Sequence, residues 1–563
     1  MVDKITFEVI NSSLTAICRL MGNSLYRTAY STIIVDCMDF SCAILDRDGE
    51  LIAQQEGCPI HVGTLHSTAK HAFEEYGIDN IEHGDILVVN DPYRGGIHLP
   101  DVTLFAPIFC ESEIVAWVGN RAHWPDIGGT VPSSLVADAT ELIHEGLRIP
   151  PIKIRERGKR REEVIRLIMS NVRAPSERLG DLNAQIAAID TGLKRVFELI
   201  KRNSLQTVLD VFKESLLYAR RRAEKSIKEI PKGVYKFEDV MDDVGVSLDP
   251  VPIKLKLTVK GDGNILIDFS GTGRQVPAPL NSSISMTKGS VYIILKALLD
   301  PSGPSNSGWY DLIEFDVPKG SILNPDYDAP VFGGGIETGM RVMDCIQGAL
   351  AHILPKTVTA ASYGTIDTTF LTGIDPLTRE QWLFNDPVPG GFGAGHDHDG
   401  LNCCIGLVAN VKDVPVEVVE LRYPLRFHRS ELRDDSGGTG KNRGGLGAVH
   451  EIEILADDVQ ATIQADRTRT APWGIFGGGP GAKTKYSLIH EGGYEELIGG
   501  QEGNKYESAK KSAIPLRRGD ILRIESAGGG GYGKPQSRPK DLVLSDLENG
   551  YISENTPHRE YEL

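Results

Sequence analysis

His98, Asp101 and His123 are three metal-capable side chains in one short stretch, NDPYRGGIHLPDVTLFAPIFCESEIVAWVGNRAHWPDIGG. His98 and Asp101 open one apolar segment, residues 102–110, and His123 closes the next, residues 114–118, after the polar turn Glu111-Ser112-Glu113. Two strands joined by so short a turn lie antiparallel, so the start of the first faces the end of the second. Side chains 25 residues apart therefore meet at one end of a hairpin. Two imidazoles and a carboxylate there suit a borderline or hard divalent ion, zinc or manganese, with positions left open for water or substrate. The competing reading is a surface hydrogen-bonded pair or a helix cap. Asp91 and Asp126 flank the hairpin mouth, and Gly95-Gly96 and Gly128-Gly129 let the backbone turn tightly beside it, which favours the metal.

Other segments carry less chemistry. In Gly395-His396-Asp397-His398-Asp399-Gly400, alternate residues could share a face, but a solvent-exposed polar loop is the simpler reading. The run Gly333-Gly334-Gly335 ends at Glu337-Thr338 before an apolar helix that Thr338 could cap, leaving amides bare for an anion. The remaining glycine clusters, Gly437-Gly438, Gly444-Gly445, Gly477-Gly478-Gly479 and Gly528 to Gly531, read as tight turns between strands. Neither GxxxxGK[ST] nor a strand-to-helix GxGxxG is present, so the chain is not expected to hydrolyse ATP unaided. No GxSxG elbow marks a serine nucleophile.

Bulk properties narrow the classes. At 563 residues the chain divides into two to four folding units, and its net charge of −17 argues against nucleic acid or an anionic membrane as partner. No apolar run is long enough to span a bilayer, and residues 1–20 lack signal-peptide order. The eight cysteines include no CxxC pair, which is thiol usage in a reducing compartment, the cytoplasm by default.

The elements that must position the triad follow from periodicity. Residues 1–30 read as a helix with Phe7, Ile10, Leu14, Ile17, Cys18 and Met21 on one face. Strands are expected at 31–35, 40–46, 50–54, 85–90, 102–110 and 114–118, and a helix at 64–76. Apolar residues at three- and four-residue intervals across 174–230 predict two or three amphipathic helices broken near Asn203-Ser204, with Arg220-Arg221-Arg222 on a solvated face. Period-two alternation returns at 253–259, helices at 285–299 and 338–353, and strands with glycine turns from 405 onward. The expected fold class is α+β in four parts: a mixed α/β metal-bearing region over 1–154, a helical segment over 155–232, a mixed domain over 233–404 and a β-rich domain over 405–563.

With these residues laid out, the chain resembles the B-type subunit of the hydantoinase/oxoprolinase family, whose members include N-methylhydantoinase, 5-oxoprolinase, caprolactamase and the acetone and acetophenone carboxylases. The matching segments are Asp39-Phe40-Ser41-Cys42-Ala43, Pro59-Ile60-His61-Val62-Gly63, Asn90-Asp91-Pro92-Tyr93 through His98-Leu99-Pro100-Asp101, and Glu145-Gly146-Leu147-Arg148-Ile149-Pro150-Pro151. They continue with Glu337-Thr338, Pro415-Val416-Glu417 through Tyr423-Pro424-Leu425, Arg433 to Gly438, Arg443 to Gly447 and Gly528 to Gly533, nearly the whole length.

The resemblance implies a division of labour. A separate A-type subunit with an actin-like ATPase fold uses ATP to phosphorylate the substrate, and the B-type subunit holds a divalent metal and completes the reaction. It places the metal ligands on His98, Asp101 and His123, and Asp39 at the same centre as a further ligand or as the base acting on water, with His61 beside it. The expected function is hydrolysis of a cyclic amide (lactam, hydantoin or oxoproline). The alternative within the family is an ATP-dependent ketone carboxylase, and outside catalysis a scaffold with a structural ion. At 393–404 the segment GAGHDHDGLNCC departs from the family pattern, which bears on substrate identity. The chain is also shorter than the acetone-carboxylase relative, favouring the lactam or hydantoin branch.

Overall fold

A computed structural model describes residues 2–55 and 57–561. Helix α1 (Lys4–Thr28) begins at Asp3, whose carboxylate accepts from the Ile5 and Thr6 amides, and it buries Ile10, Leu14, Ile17, Cys18 and Met21. This is the stripe expected of an amphipathic helix on a sheet. The segment expected as a strand at 31–35 is instead one helical turn, α2 (Thr32–Val35). The Ser31 and Tyr30 amides are held by the Asp181 carboxylate at 3.1 and 2.9 Å, and Thr32, Ile33 and Ile34 are all buried. Tertiary packing thus overrides the β-branched propensity of Thr-Ile-Ile-Val.

The N-terminal sheet comprises β1 (Phe40–Asp46), β2 (Leu51–Gln54), β3 (Ile86–Val89), β4 (Asp101–Cys110), β5 (Glu113–His123), β6 (Ile152–Glu156) and β7 (Lys159–Arg160). Their order is β2-β1-β5-β4-β3-β6-β7, and every neighbouring pair is antiparallel. Side chains alternate between two cores. Ile44, Leu104 and Val118 join the core under α1 and the helix α5 (Pro175–Asn203). Leu45, Phe105 and Trp117 face the helix α3 (Pro59–Tyr76), where Phe73 stacks on Trp117. The short α4 (Glu162–Met169) leads into α5, and α6 (Leu205–Lys228) follows a break at Ser204, as the sequence predicts.

A second unit sets α7 (Ile284–Leu299) and α8 (Thr338–Leu350) against β8 (Gly233–Met241), β9 (Val251–Val259), β10 (Ile265–Asp268) and β11 (Ile313–Asp316). Its strand order is β11-β10-β9-β8. Thr338 does not cap α8: Glu337 occupies that position, and the Thr338 hydroxyl donates to the Leu280 carbonyl instead.

The C-terminal part adds β12 (Thr368–Ile374), β13 (Gln381–Pro387), β14 (Leu425–Leu432), β15 (Ala448–Ile454), β16 (Val459–Gln464), β17 (Lys485–Ile489), β18 (Glu495–Glu502), β19 (Lys505–Glu507), β20 (Lys510–Leu516) and β21 (Ile521–Glu525). They form sheets of order β13-β12-β16-β20 and β14-β15-β21-β17-β18-β19, so the first draws strands from both sides of residue 404. The glycine clusters there do more than turn the chain. The Gly529 amide donates to Gly445, Gly438 to Gly529 and Gly531 to Gly479. A Cβ on Gly529 would lie 2.0 Å from the Phe392 carbonyl oxygen, so side chains are excluded where these backbones stack. The fold is a mixed α+β, multidomain one. Among the described residues no helix is long and apolar enough to cross a membrane.

Candidate metal centre

Three neighbouring strands end together at one edge of the N-terminal sheet. Asp101 is the first residue of β4 and His123 the last of β5, and the two are direct register partners. Asp39 immediately precedes β1, and its carbonyl accepts from the His123 amide at 3.1 Å. His98 lies one turn before Asp101, whose amide donates to the His98 carbonyl. His61 comes from the first turn of α3, which starts with Pro59. Antiparallel register therefore gathers Asp39, His98, Asp101 and His123, and α3 brings His61 to them.

The convergence is tight. His98 Nε2 and His123 Nδ1 are 3.0 Å apart, and Asp101 Oδ1 is 3.3 Å from the first and 3.2 Å from the second. His61 Nε2 lies 3.6 Å from both Asp101 Oδ1 and Asp39 Oδ1. Ligands bound 2.0–2.2 Å from one ion are spaced roughly 3–3.5 Å apart, so the first three atoms match the edges of a coordination shell. Two further observations fit a cation. Asp101 Oδ2 and Asp39 Oδ1 are buried without a hydrogen-bond partner among the described residues, an arrangement that is costly when nothing compensates it. The His98 Nδ1–H donates to the Phe332 carbonyl at 3.0 Å, which fixes the tautomer and turns a lone pair on Nε2 toward Asp101. Asp39, Cys58 and His61 form a second such group beside the first.

Electrostatics point the same way. Burial pushes the Asp101 carboxyl up, but the His98 and His61 imidazoles outweigh it and hold Asp101 well below the usual carboxylate range. Burial pulls His98 down, and Asp101 more than restores it, leaving His98 raised. The pocket concentrates negative potential that a proton or a divalent ion neutralises.

Several residues that periodicity does not reveal complete the centre. Phe332 stacks on His98 with ring centroids 4.8 Å apart and presents its edge to His123. The Phe332 and Val331 amides both donate to Glu145 Oε1, at 2.9 and 2.8 Å. The amides just before the glycine run are thus taken by the chain's own Glu145 carboxyl, which is fully buried. Arg121 lies under the site, where its donors meet hydroxyls in place of carboxylates. It donates to Thr103, Thr64 and Thr68 hydroxyls at 2.8, 2.6 and 2.6 Å, tying α3 to the sheet. Burial pulls its pKa down to about 10, against Asp101 and Cys58. The only advance signal for Glu145 is its place in Glu145-Gly146-Leu147-Arg148.

The flanking acids play structural parts. Asp91 accepts from the Tyr93 amide and pairs with Arg94, and Asp126 accepts from the Gly128, Ser133 and Arg173 amides. Asp397 and His398 are solvent-exposed, and Asp399 pairs with Arg538. Arg220 and Arg221 lie on an exposed face in pairs with Asp311 and Glu214.

The family model described as Hydantoinase B/oxoprolinase matches residues 3–535. The chain belongs to this family. It is 33% identical to the B-type subunit of a putative D-/L-hydantoinase from a Pseudomonas species (strain NS671), over 100% of this chain and 95% of that one. The crystal structure of the ATP-dependent caprolactamase from Pseudomonas jessenii superimposes with a TM-score of 0.92 at 30% identity, covering 100% of this chain and 96% of the other. A nucleotide-free acetone carboxylase structure shares the fold, with a TM-score of 0.90 over 99% of this chain and 79% of that chain at 22% identity. This chain thus has the hydantoinase B fold, and within it the buried group of metal-capable side chains.

Proposed function

We propose that this chain is the B-type subunit of an ATP-dependent amidohydrolase that opens a cyclic amide (a lactam, hydantoin or oxoproline) after an A-type partner subunit has phosphorylated it. The observation that carries the proposal is the convergence of His98, Asp101 and His123, with Asp39 and His61 beside them, at one sheet edge. His98, Asp101 and His123 would hold a divalent ion, zinc or manganese by donor type. Such an ion, when bound, brings the pKa of coordinated water toward neutrality and polarises a carbonyl.

The chain's own residues supply the rest. Asp39 has a buried carboxylate oxygen with no hydrogen-bond partner among the described residues and accepts the proton of the attacking water. His61, within 3.6 Å of both carboxylates, relays the proton from Asp39 toward the ring nitrogen as the C–N bond opens. Phe332, Phe370 and Ile336 close the cavity against bulk water. Water adds to the carbon bearing the phosphorylated oxygen and the C–N bond breaks, releasing the amine and leaving an acyl phosphate; a second water cleaves that to a carboxylate and inorganic phosphate.

Support for a partner comes from the caprolactamase, which is described as ATP-dependent, and from the hydantoinase relative, whose name denotes one subunit of a larger enzyme. The missing phosphate loop accords with ATP being used elsewhere in the complex. All eight cysteines are free thiols, which supports a reducing, cytoplasmic setting.

The test is ATP-dependent ring opening of hydantoin, 5-oxoproline and caprolactam by the chain co-purified with its A-type subunit. His98→Ala and His123→Ala should each lower kcat by roughly two orders of magnitude or more and lose bound metal. Undiminished turnover in both variants would sink the proposal, and bicarbonate-dependent consumption of ketones would replace it with a carboxylase.

A further inference from the structure

The cavity holding the five converging side chains is about 60 Å³. A water molecule occupies roughly 30 Å³ of liquid, and pockets that enclose an organic ligand start near roughly 300 Å³. The cavity admits a water or two beside an ion but no five- or seven-membered ring. A second cavity of about 840 Å³ lies against it, and Ala409 and Val411 line both. The stretch at the start of α3 divides them as well: Gly57 and Pro59 line the large chamber, while Cys58, Ile60 and His61 line the small one.

The wall between the two is a short irregular segment pinned at both ends. Val408 is fixed by the Ile60 amide at 3.0 Å and by the Cys58 thiol at 3.5 Å, both donating to its carbonyl. The Lys412 amide donates to the Cys37 carbonyl at 2.9 Å. Between these pins Asn410 is exposed and makes no hydrogen bond among the described residues. The chamber is walled largely by apolar groups, among them Tyr292, Phe392 and Leu407, with Lys296 as a further cation and Asn410 and Lys412 at the dividing wall. That lining fits a compact ring that also carries an anionic group.

We infer that the 840 Å³ chamber is the antechamber in which the phosphorylated cyclic amide waits, and that the segment 409–411 is the movable wall through which that intermediate reaches the metal centre. The occupant's chemistry rests on the proposed amidohydrolase activity, but the route does not. Between the pins the one backbone bond among the described residues, from the Ala409 amide to the Gly406 carbonyl at 3.0 Å, stays within the same loop, so local displacement is allowed without disturbing His61 or the sheet.

The experiment uses the full chain in its complex, loaded with zinc, and measures the rate at which 1,10-phenanthroline strips the metal. Leu407→Trp and Cys404→Trp fill the chamber from two sides, so that one remains informative if the other fails to fold. Both should leave metal content and melting midpoint unchanged, slow stripping several-fold and lower kcat/KM for caprolactam roughly tenfold, with a smaller effect on the smaller ring of 5-oxoproline. Ala409→Gly should speed stripping. Ile514→Trp, in a surface pocket of the C-terminal part, should change nothing. Stripping rates that match wild type in both tryptophan variants would overturn the route. A wild-type complex that opens no cyclic amide would instead defeat the proposed function, with the stripping series still deciding the route.

Discussion

His98 is held from two sides by one residue, Phe332, through ring stacking and a carbonyl, and Phe332 is itself held by Glu145. Burial pushes the Glu145 carboxyl up to about 8, despite the Phe332 amide bond and His98, from an ordinary 4.5. An acid raised on folding binds its proton more tightly in the folded chain. Its stabilising contribution is therefore full below about 4.5 and is lost as pH climbs through about 8. Melting midpoints taken across that window should fall for wild type and fall less for Glu145→Gln, which keeps an acceptor oxygen for both amides. Glu145→Ala should cost about 2 kcal/mol and weaken metal affinity 10- to 100-fold, read by chelator competition. The triad was legible in sequence because a hairpin brings its members together through local register alone. Glu145, Phe332 and Cys58 were not, since nothing near them in sequence states which distant atom they meet.

At the scale of elements, the strand expected over 114–118 runs on to His123. Gly119-Asn120-Arg121 does not look like strand, because Asn120 and Arg121 are polar yet buried. Their partners lie on distant helices and a neighbouring strand: Asn120 donates to the Gln185 carbonyl, and Arg121 to three threonine hydroxyls. Ser31–Val35 misleads in the opposite sense, since its β-branched run is coiled by the distant Asp181. Arg121 is the clamp that keeps His61's helix in place over the strand ends. Arg121→Met should preserve bulk, remove three hydrogen bonds from hydroxyls that still donate to backbone carbonyls, and lower unfolding free energy by about 3 kcal/mol in urea titration. It should also raise KM less than it lowers kcat, because the displaced group is His61. A stability unchanged from wild type would show that the three Arg121 bonds contribute nothing net and that Arg121 is not the clamp.

Across the whole molecule, the mixed α+β class and the β-rich C-terminal part were legible, but the stacking of glycine backbones was not: a glycine run reads alike as a turn or as a close approach. Nor could sequence show that the small cavity is walled by segments from 33 to 411. Its proposed ligands belong to the N-terminal sheet, while Phe332, Phe370, Asn385 and Val408 close it from units further along the chain. An ion bound there would be linked to the packing of these units against one another, beyond the sheet that supplies the donors. Binding confined to the folded state adds about 4 kcal/mol when free metal exceeds Kd a thousandfold. Removal of metal by chelation should therefore lower the melting midpoint of the whole chain in one transition. It should also raise amide hydrogen exchange at 331–336 and 408–412, segments that contribute none of the proposed ligands. If chelation instead loosened only the ends of the strands bearing Asp39, Asp101 and His123, the ion would serve one sheet alone, and the coupling drawn through Phe332 would be wrong.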